Sequence, residues 1–148
     1  MINELTVITL AQLLLTWIMV GILWFTQVVH YPLYLKIKEG FVDYERCHVK
    51  RTALLVGPLM VAEAVTAVWL ISLVPEGNLL RLAGANLIVL ILIWLSTFLF
   101  QTVQHQKLSI RFSKRILTGL ITTNWIRTLL WTVKGGIMTA IGYSLLIT

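Results

Sequence analysis

The sequence predicts an all-α membrane protein, an antiparallel up-and-down bundle of four helices that cross a bilayer. Hydrophobic residues make up 58% of the 148 residues and charged residues only 12%, against about 25% charged in a soluble domain. The apolar residues fall into four continuous runs without the two-residue alternation of membrane β-strands. Each run exceeds the roughly 20 residues that a helix needs to cross the hydrocarbon core. A single domain over residues 1–148 follows from this length.

The first predicted helix ends at the Tyr31-Pro32 step, because proline disfavours helical geometry in the residue before it. A Pro-Glu-Gly-Asn turn at 75–78 joins the second and third helices as a tight hairpin. The four helices are predicted at about 5–28, 41–74, 79–103 and 121–148.

The second helix is predicted to begin outside the bilayer. Its helical pattern starts near Phe41, and its apolar run starts after Arg51, so the first turns form a cytoplasmic extension. Gly57-Pro58 is expected to interrupt it, because proline removes a backbone hydrogen bond and kinks a helix. Such breaks in membrane helices border cavities.

The distribution of positive charge predicts the orientation. The net charge is +6, and nine of the twelve Lys and Arg residues lie in the first and third connections, whereas the second has only Arg81. The positive-inside rule places these two connections in the cytoplasm and both termini outside. The expected partner of the basic connections is the anionic surface of the bilayer, not nucleic acid. We therefore expect a multi-pass membrane protein.

Three histidines and one glutamate form a candidate metal or haem site. His30, His48 and His105 fall near the cytoplasmic ends of the first three helices, and antiparallel packing brings those ends to one level. Glu45 lies three residues before His48, so the two share a helix face. A single Glu-x-x-His motif is too little for a di-iron carboxylate site. Imidazoles and a carboxylate suit Zn, Fe or Cu. The alternative is that the three histidines are interfacial side chains that face headgroups and water.

Charged residues within the apolar runs form a second candidate site. Glu63 lies near the middle of the second helix, and Arg127 and Lys134 lie seven residues apart on one face of the fourth. Charges at this depth face the bundle interior and pair, so Glu63 is expected to pair with Lys134 or Arg127. A structural ion pair and an anion-binding or proton-handling site both remain open, and Lys134 could instead snorkel to the interface.

Polar residues beside the histidines are candidates for orienting a substrate. Arg127 presents a planar fork of donors that suits a carboxylate or phosphate. Gln27 and Asn124 lie at neighbouring levels of the first and fourth helices. The chain shows neither a nucleophile–base pair nor a glycine-rich phosphate loop, so no catalytic residue is assigned.

Several segments of the chain carry a family resemblance. They are residues 24–33, Tyr44-Glu45-x-x-His48-x-x-Arg51, Gly57-Pro58-Leu59-Met60-x-x-Glu63, Gln104-His105-x-x-Leu108 and Asn124-Trp125-Ile126-Arg127-Thr128. Together they resemble a family of small bacterial four-helix membrane proteins to which no activity is assigned. The resemblance implies that the protein lies in a bacterial inner membrane.

Glu45, His105, Leu108 and Asn124 also match positions of a second family. These residues resemble those of oxygen-independent protoporphyrinogen oxidases of the HemJ type, which are similar in length and have four helices. The chain departs from that pattern, because its first helix has no histidine before His30 and a tryptophan follows Asn124. The likeness implies the architecture and does not carry porphyrin oxidation over to this chain.

Two functions remain from the sequence. The first is a metal- or haem-dependent redox enzyme that acts on a lipid-soluble substrate, such as a quinone or porphyrin, at the cytoplasmic face. The second is a non-catalytic transporter or an accessory subunit of a membrane complex, in which Glu63, Arg127 and Lys134 serve as gating, proton-coupling or interfacial groups. Because four helices make a small bundle, a homodimer or a larger membrane complex is expected.

Overall fold

Four long helices make up the protein. The computed structural model describes residues 3–146, and every regular element in that range is helical. Each of the four is long and apolar enough to cross a membrane, which confirms the all-α class and the four apolar helices. They are α1 (Glu4–Tyr34), α2 (Phe41–Leu73), α3 (Asn78–Leu108) and α4 (Lys114–Leu146).

Large apolar side chains cover the outside of the bundle. Leu54 is 71% exposed, Ile88 60% and Leu129 55%, and many similar residues surround them. A soluble monomer rarely exposes a contiguous apolar patch beyond a few hundred Å². An exterior of this kind suits contact with lipid chains.

α1 continues past its predicted end. It is α-helical to Phe25, π-helical over Thr26–His30 and α-helical again over Tyr31–Tyr34. The prediction that the Tyr31-Pro32 step ends the helix is therefore wrong. Pro32 lies directly after the π segment, and a helix can lose the one hydrogen bond that a proline removes and still continue.

α3 and α4 also extend beyond their predicted ends. α3 is α-helical to Ser96, π-helical over Thr97–Thr102 and α-helical over Val103–Leu108. α4 begins at Lys114, well before residue 121. The hydropathy criterion detects only the segment that fits the hydrocarbon core, so it misses polar helical turns outside that core.

α2 begins at Phe41, as predicted, directly after Gly40. Gly40 has a φ of 67°, a left-handed conformation that glycine adopts without strain. The predicted interruption at Gly57-Pro58 is absent, because the helix continues through Pro58 to Leu73. A proline can remove one helical hydrogen bond and still leave the helix continuous.

The helices run antiparallel around the bundle. α1 packs against α2 and α4, and α3 packs against the same two helices. Trp69 of α2 donates to Glu4 at the start of α1, at 2.9 Å, whereas His48 near the start of α2 contacts His30 near the end of α1. We call the end with these two histidines the histidine end.

Side chains from all four helices fill the centre of the bundle. Met19, Ile93 and Trp131 are completely buried in the middle cluster, and Leu70 and Met138 are completely buried towards the opposite end from the histidines. Lipid chains are as apolar as these residues, so close packing and interhelical hydrogen bonds hold such helices together. The polar interior contacts therefore matter for stability as well as for chemistry.

Candidate functional site

A buried ion pair joins α2 and α4 near the middle of the bundle. Glu63 Oε2 lies 2.6 Å from Lys134 Nζ, and both side chains are completely buried. Gln12 of α1 donates to the same carboxylate oxygen at 2.5 Å, and Lys134 donates to the hydroxyl of Thr16 at 2.9 Å. Of the two cations predicted as partners of Glu63, the structure pairs it with Lys134. Full burial shows that Lys134 does not snorkel.

The histidine end gathers the residues of the candidate metal site. His30 Nε2 lies 3.2 Å from His48 Nδ1, and Glu45 Oε1 lies 2.5 Å from His105 Nδ1. Tyr31 joins them, because its hydroxyl lies 3.2 Å from His105 Nε2. Glu45 is completely buried. The four predicted residues therefore meet, and they form two pairs.

The imidazole rings are stacked on one another. The ring centroids of His30 and His48 are 4.7 Å apart with the planes at 26°, and those of His48 and His105 are 5.6 Å apart at 30°. Nearly parallel rings do not direct their nitrogens to one point. Within residues 3–146, no group of three His, Cys, Asp or Glu side chains is arranged to hold a metal ion. These side chains, as placed, do not fit an ion bound by three imidazoles.

His105 is the residue that would hold a haem or metal at this end, through its Nε2. Metal-bound histidines donate their second ring N–H to a carboxylate or carbonyl, and Glu45 takes that position at His105 Nδ1. His105 Nε2 then faces the hydroxyl of Tyr31. A haem or metal bound at Nε2 would take the place of this contact with Tyr31 and would supply an electron acceptor. The metal or haem itself stays a prediction.

Polar side chains of α1 and α4 form a chain next to this end. Gln27 donates to the carbonyl of Ile121 at 3.2 Å and accepts from Asn124 at 2.8 Å. Asn124 in turn accepts from Arg127 Nη1 at 3.3 Å. Arg127 is only 8% exposed, and its Nε has no hydrogen-bond partner. The three residues predicted to orient an anion are thus connected to one another.

A cavity of about 870 Å³ opens between the helices at this level. It is bordered mainly by apolar side chains, among them Leu23, Met60 and Trp94, and by Gly57 of α2. Its polar border consists chiefly of His30, Tyr31, His48, Gln101, His105 and Arg127. Ligand pockets have volumes of about 300–1,000 Å³ and mostly apolar walls with a few polar groups. We call this space the histidine cavity.

Sequence reasoning missed two tyrosines at this site. Tyr31 and Tyr34 are almost completely buried, and the ring of Tyr34 packs edge-on against His30 and His48, with centroids 4.7 and 5.4 Å away. The predicted helix end at Pro32 placed them in a connection. Their four- and seven-residue spacing from buried Gln27 was the signal of a continuing helix face.

We compared the chain with protein families, curated proteins and solved structures. No family model matches it, and neither a curated protein nor a solved structure is significantly similar to it.

Proposed function

We propose that this protein is a membrane-embedded redox enzyme whose lipid-soluble, ring-containing substrate binds in the histidine cavity. The volume of about 870 Å³ and the mostly apolar border support a ligand of that size and polarity. The cavity lies among helices that suit a bilayer. A ligand dissolved in the membrane would reach such a space from the side, between helices.

The observation that carries this proposal is the hydrogen-bonded series Glu45–His105–Tyr31. It leads from a completely buried carboxylate to two side chains that border the cavity. Oxidation of a reduced ring such as a quinol releases protons together with electrons. A quinol loses two protons and two electrons. In the proposed reaction His105 accepts one proton, the buried charge of Glu45 stabilises the imidazolium that forms, and the His30–His48 pair at the cavity border accepts the other proton.

The electrons need an acceptor. A redox partner protein of the membrane would supply one. A haem or metal held at His105 would also supply one, but the protons would then pass to the His30–His48 pair, because Nε2 of His105 would be bound and its Nδ1 is bonded to Glu45. Under the positive-inside rule the histidine end faces the cytoplasm of a bacterial inner membrane. Both protons released from the substrate would then leave on the cytoplasmic side.

The test combines a cofactor measurement with turnover. Protein purified in neutral detergent is examined by absorption spectroscopy and elemental analysis, and oxidation of a short-chain benzoquinol is followed with a soluble electron acceptor. His105→Ala is the variant, and Lys107→Ala, an exposed position of the same helix, is the matched control. We expect His105→Ala to lose both the chromophore or metal and the turnover. A wild type without turnover, or a fully active His105→Ala, contradicts the proposal.

The mid-bundle ion pair favours a second candidate function. A completely buried Glu63–Lys134 pair suits a transporter or an accessory subunit, in which an intramembrane charge couples proton movement or fixes an interface. In that case the protein would work as a homodimer or within a larger membrane complex. Unchanged transport and assembly in Glu63→Gln would count against this candidate.

A further inference from the structure

We propose that the histidine cavity binds an amphiphile with one acidic head group, a carboxylate or phosphate, and that Arg127 is the residue that binds it. This inference specifies the ligand class of the cavity and rests on the proposed function only in using the same site. It starts from a contrast between the two buried cations of α4.

Lys134 and Arg127 lie seven residues apart and are both buried, but their charges are balanced differently. Lys134 has a carboxylate of the protein, Glu63, at 2.6 Å. Arg127 takes part in none of the ion pairs among residues 3–146. An unpaired buried charge carries a large desolvation penalty, so the position of Arg127 is unfavourable unless an anion joins it.

The protein has no acidic residue left for Arg127. Its sequence contains six Asp and Glu residues, and all six lie in the described part of the chain. Glu45 is bonded to His105, Glu63 to Lys134 and Glu4 to Trp69. The other three are exposed at the ends of the bundle: Glu39, Asp43 and Glu76. No acidic side chain of residues 3–146 is therefore available to balance Arg127, and an anion from outside this part of the chain would do so.

The hydrogen bonds of Arg127 lead to the same conclusion. A guanidinium has five N–H donors, and the structure gives it one side-chain acceptor, Asn124 Oδ1 at 3.3 Å. Its Nε has no partner, and the residue borders the histidine cavity. Asn124 is itself held by Gln27 at 2.8 Å. The fork is thus fixed from one side and has donors free for a carboxylate or phosphate in the cavity.

The rest of the cavity decides what the anion is attached to. Apolar side chains form most of its border, and a small hydrated anion gains nothing from such walls. An apolar chain or ring gains by filling them. Trp94 also borders the cavity, and its buried indole N–H has no partner, so it offers a further donor to a ligand.

The experiment compares palmitate with hexadecanol, which share a chain length and differ in the head group. Both are titrated by equilibrium dialysis against protein in nanodiscs of neutral phosphatidylcholine, with empty nanodiscs subtracted. We expect the wild type to prefer palmitate by at least about tenfold, as a charge-assisted hydrogen bond predicts. Arg127→Gln should reduce that preference to about twofold or less, and Arg127→Lys should keep part of it.

Arg81→Gln is the matched control, because it removes an exposed guanidinium by the same substitution and lies outside the cavity border. It should keep the preference for palmitate. Equal binding of palmitate and hexadecanol by the wild type, or a full preference in Arg127→Gln, overturns the proposal. The wild-type comparison needs no variant and can overturn the proposal even where Arg127→Gln fails to fold, and Arg127→Lys then tests the residue itself.

Inorganic phosphate is the third probe, and it separates a head group from a free anion. Weak binding of phosphate beside tight binding of palmitate supports an amphiphile, and equally tight binding of phosphate overturns it. The assay is independent of turnover. A palmitate preference without benzoquinol oxidation supports this inference and contradicts the proposed redox enzyme. Benzoquinol oxidation without a palmitate preference supports the enzyme and contradicts this inference.

Discussion

Glu45 and His105, sixty residues apart on different helices, meet at 2.5 Å, and the glutamate is completely buried at that contact. A buried carboxylate is costly without a partner, so the pair is a constraint on how α2 and α3 dock. It also fixes the ring of His105, which leaves Nε2 towards Tyr31.

Replacement of Glu45 by glutamine should separate the charge of this pair from its shape. Glutamine keeps the size of the side chain but cannot stabilise an imidazolium. We expect turnover of the benzoquinol to fall by about 10²–10⁴-fold, the usual contribution of acid–base catalysis. The rate is compared with that of Asp43→Asn, an exposed acid of the same helix. Equal rates in the two variants would remove Glu45 from the mechanism.

The ion pair at mid-bundle predicts a stability effect. Glu63→Gln leaves the ammonium of Lys134, which is completely buried, without its counter-charge. Breaking a buried pair by removing one partner costs about 3–5 kcal/mol. We expect a clearly lower thermal unfolding midpoint in detergent. The double variant Glu63→Gln/Lys134→Met should recover most of the loss, because no charge is then left unpaired; a double variant as unstable as the single one would argue against this reason.

Two adjacent glycines of α4 predict opposite outcomes. A Cβ built on Gly135 would lie 3.3 Å from Trp17 Cζ2, whereas a Cβ on Gly136 meets nothing within 4 Å. Gly135→Leu should therefore push α1 away from α4 and destabilise the protein by about 1–3 kcal/mol, as overpacking does. Gly136→Leu is the control and should unfold at or above the wild-type temperature. Equal midpoints would mean that α1 and α4 are not held at this distance.

The exposed Cys47 allows a test of orientation. It is the only cysteine of the chain and lies at the exposed surface of α2 near the histidine end. If that end faces the cytoplasm, a membrane-impermeant maleimide should label it in inside-out vesicles and not in intact cells. Glu76→Cys in a Cys47→Ser background marks the opposite end and should give the reverse pattern. Labelling of Cys47 from outside the cell would invert the predicted topology.

The sequence was sufficient for the number and type of the helices and for the residues that carry charge inside them. Long, continuously apolar runs form helices in lipid. Glu63 is the only acid within these runs, and the two cations on one face of α4 are its possible partners. The choice of Lys134 over Arg127 depends on the relative heights of α2 and α4. That height is set by packing, which no local pattern reports.

The histidine cavity was the part that sequence reasoning could not supply. Its polar border depends on π segments in α1 and α3, which change the direction of every side chain beyond them. π turns are stabilised by tertiary contacts and are frequent at functional sites, and hydropathy does not detect them. The stacking of the three imidazoles, instead of their convergence on an ion, was equally inaccessible from spacing.

Because of the π segment of α3, the number of residues before His105 determines which way that histidine faces. Ser96 and Gln101, both buried, are five positions apart, whereas the preceding buried residues of α3, from Ala83 onward, follow at steps of three or four. Deletion of one residue such as Phe98 would restore an unbroken pitch and rotate His105 by about 100° around the helix axis. The histidine would then leave Glu45 although neither residue had been substituted. The loss of one residue from Thr97–Thr102 should therefore disrupt the Glu45–His105 contact as fully as replacement of the histidine would.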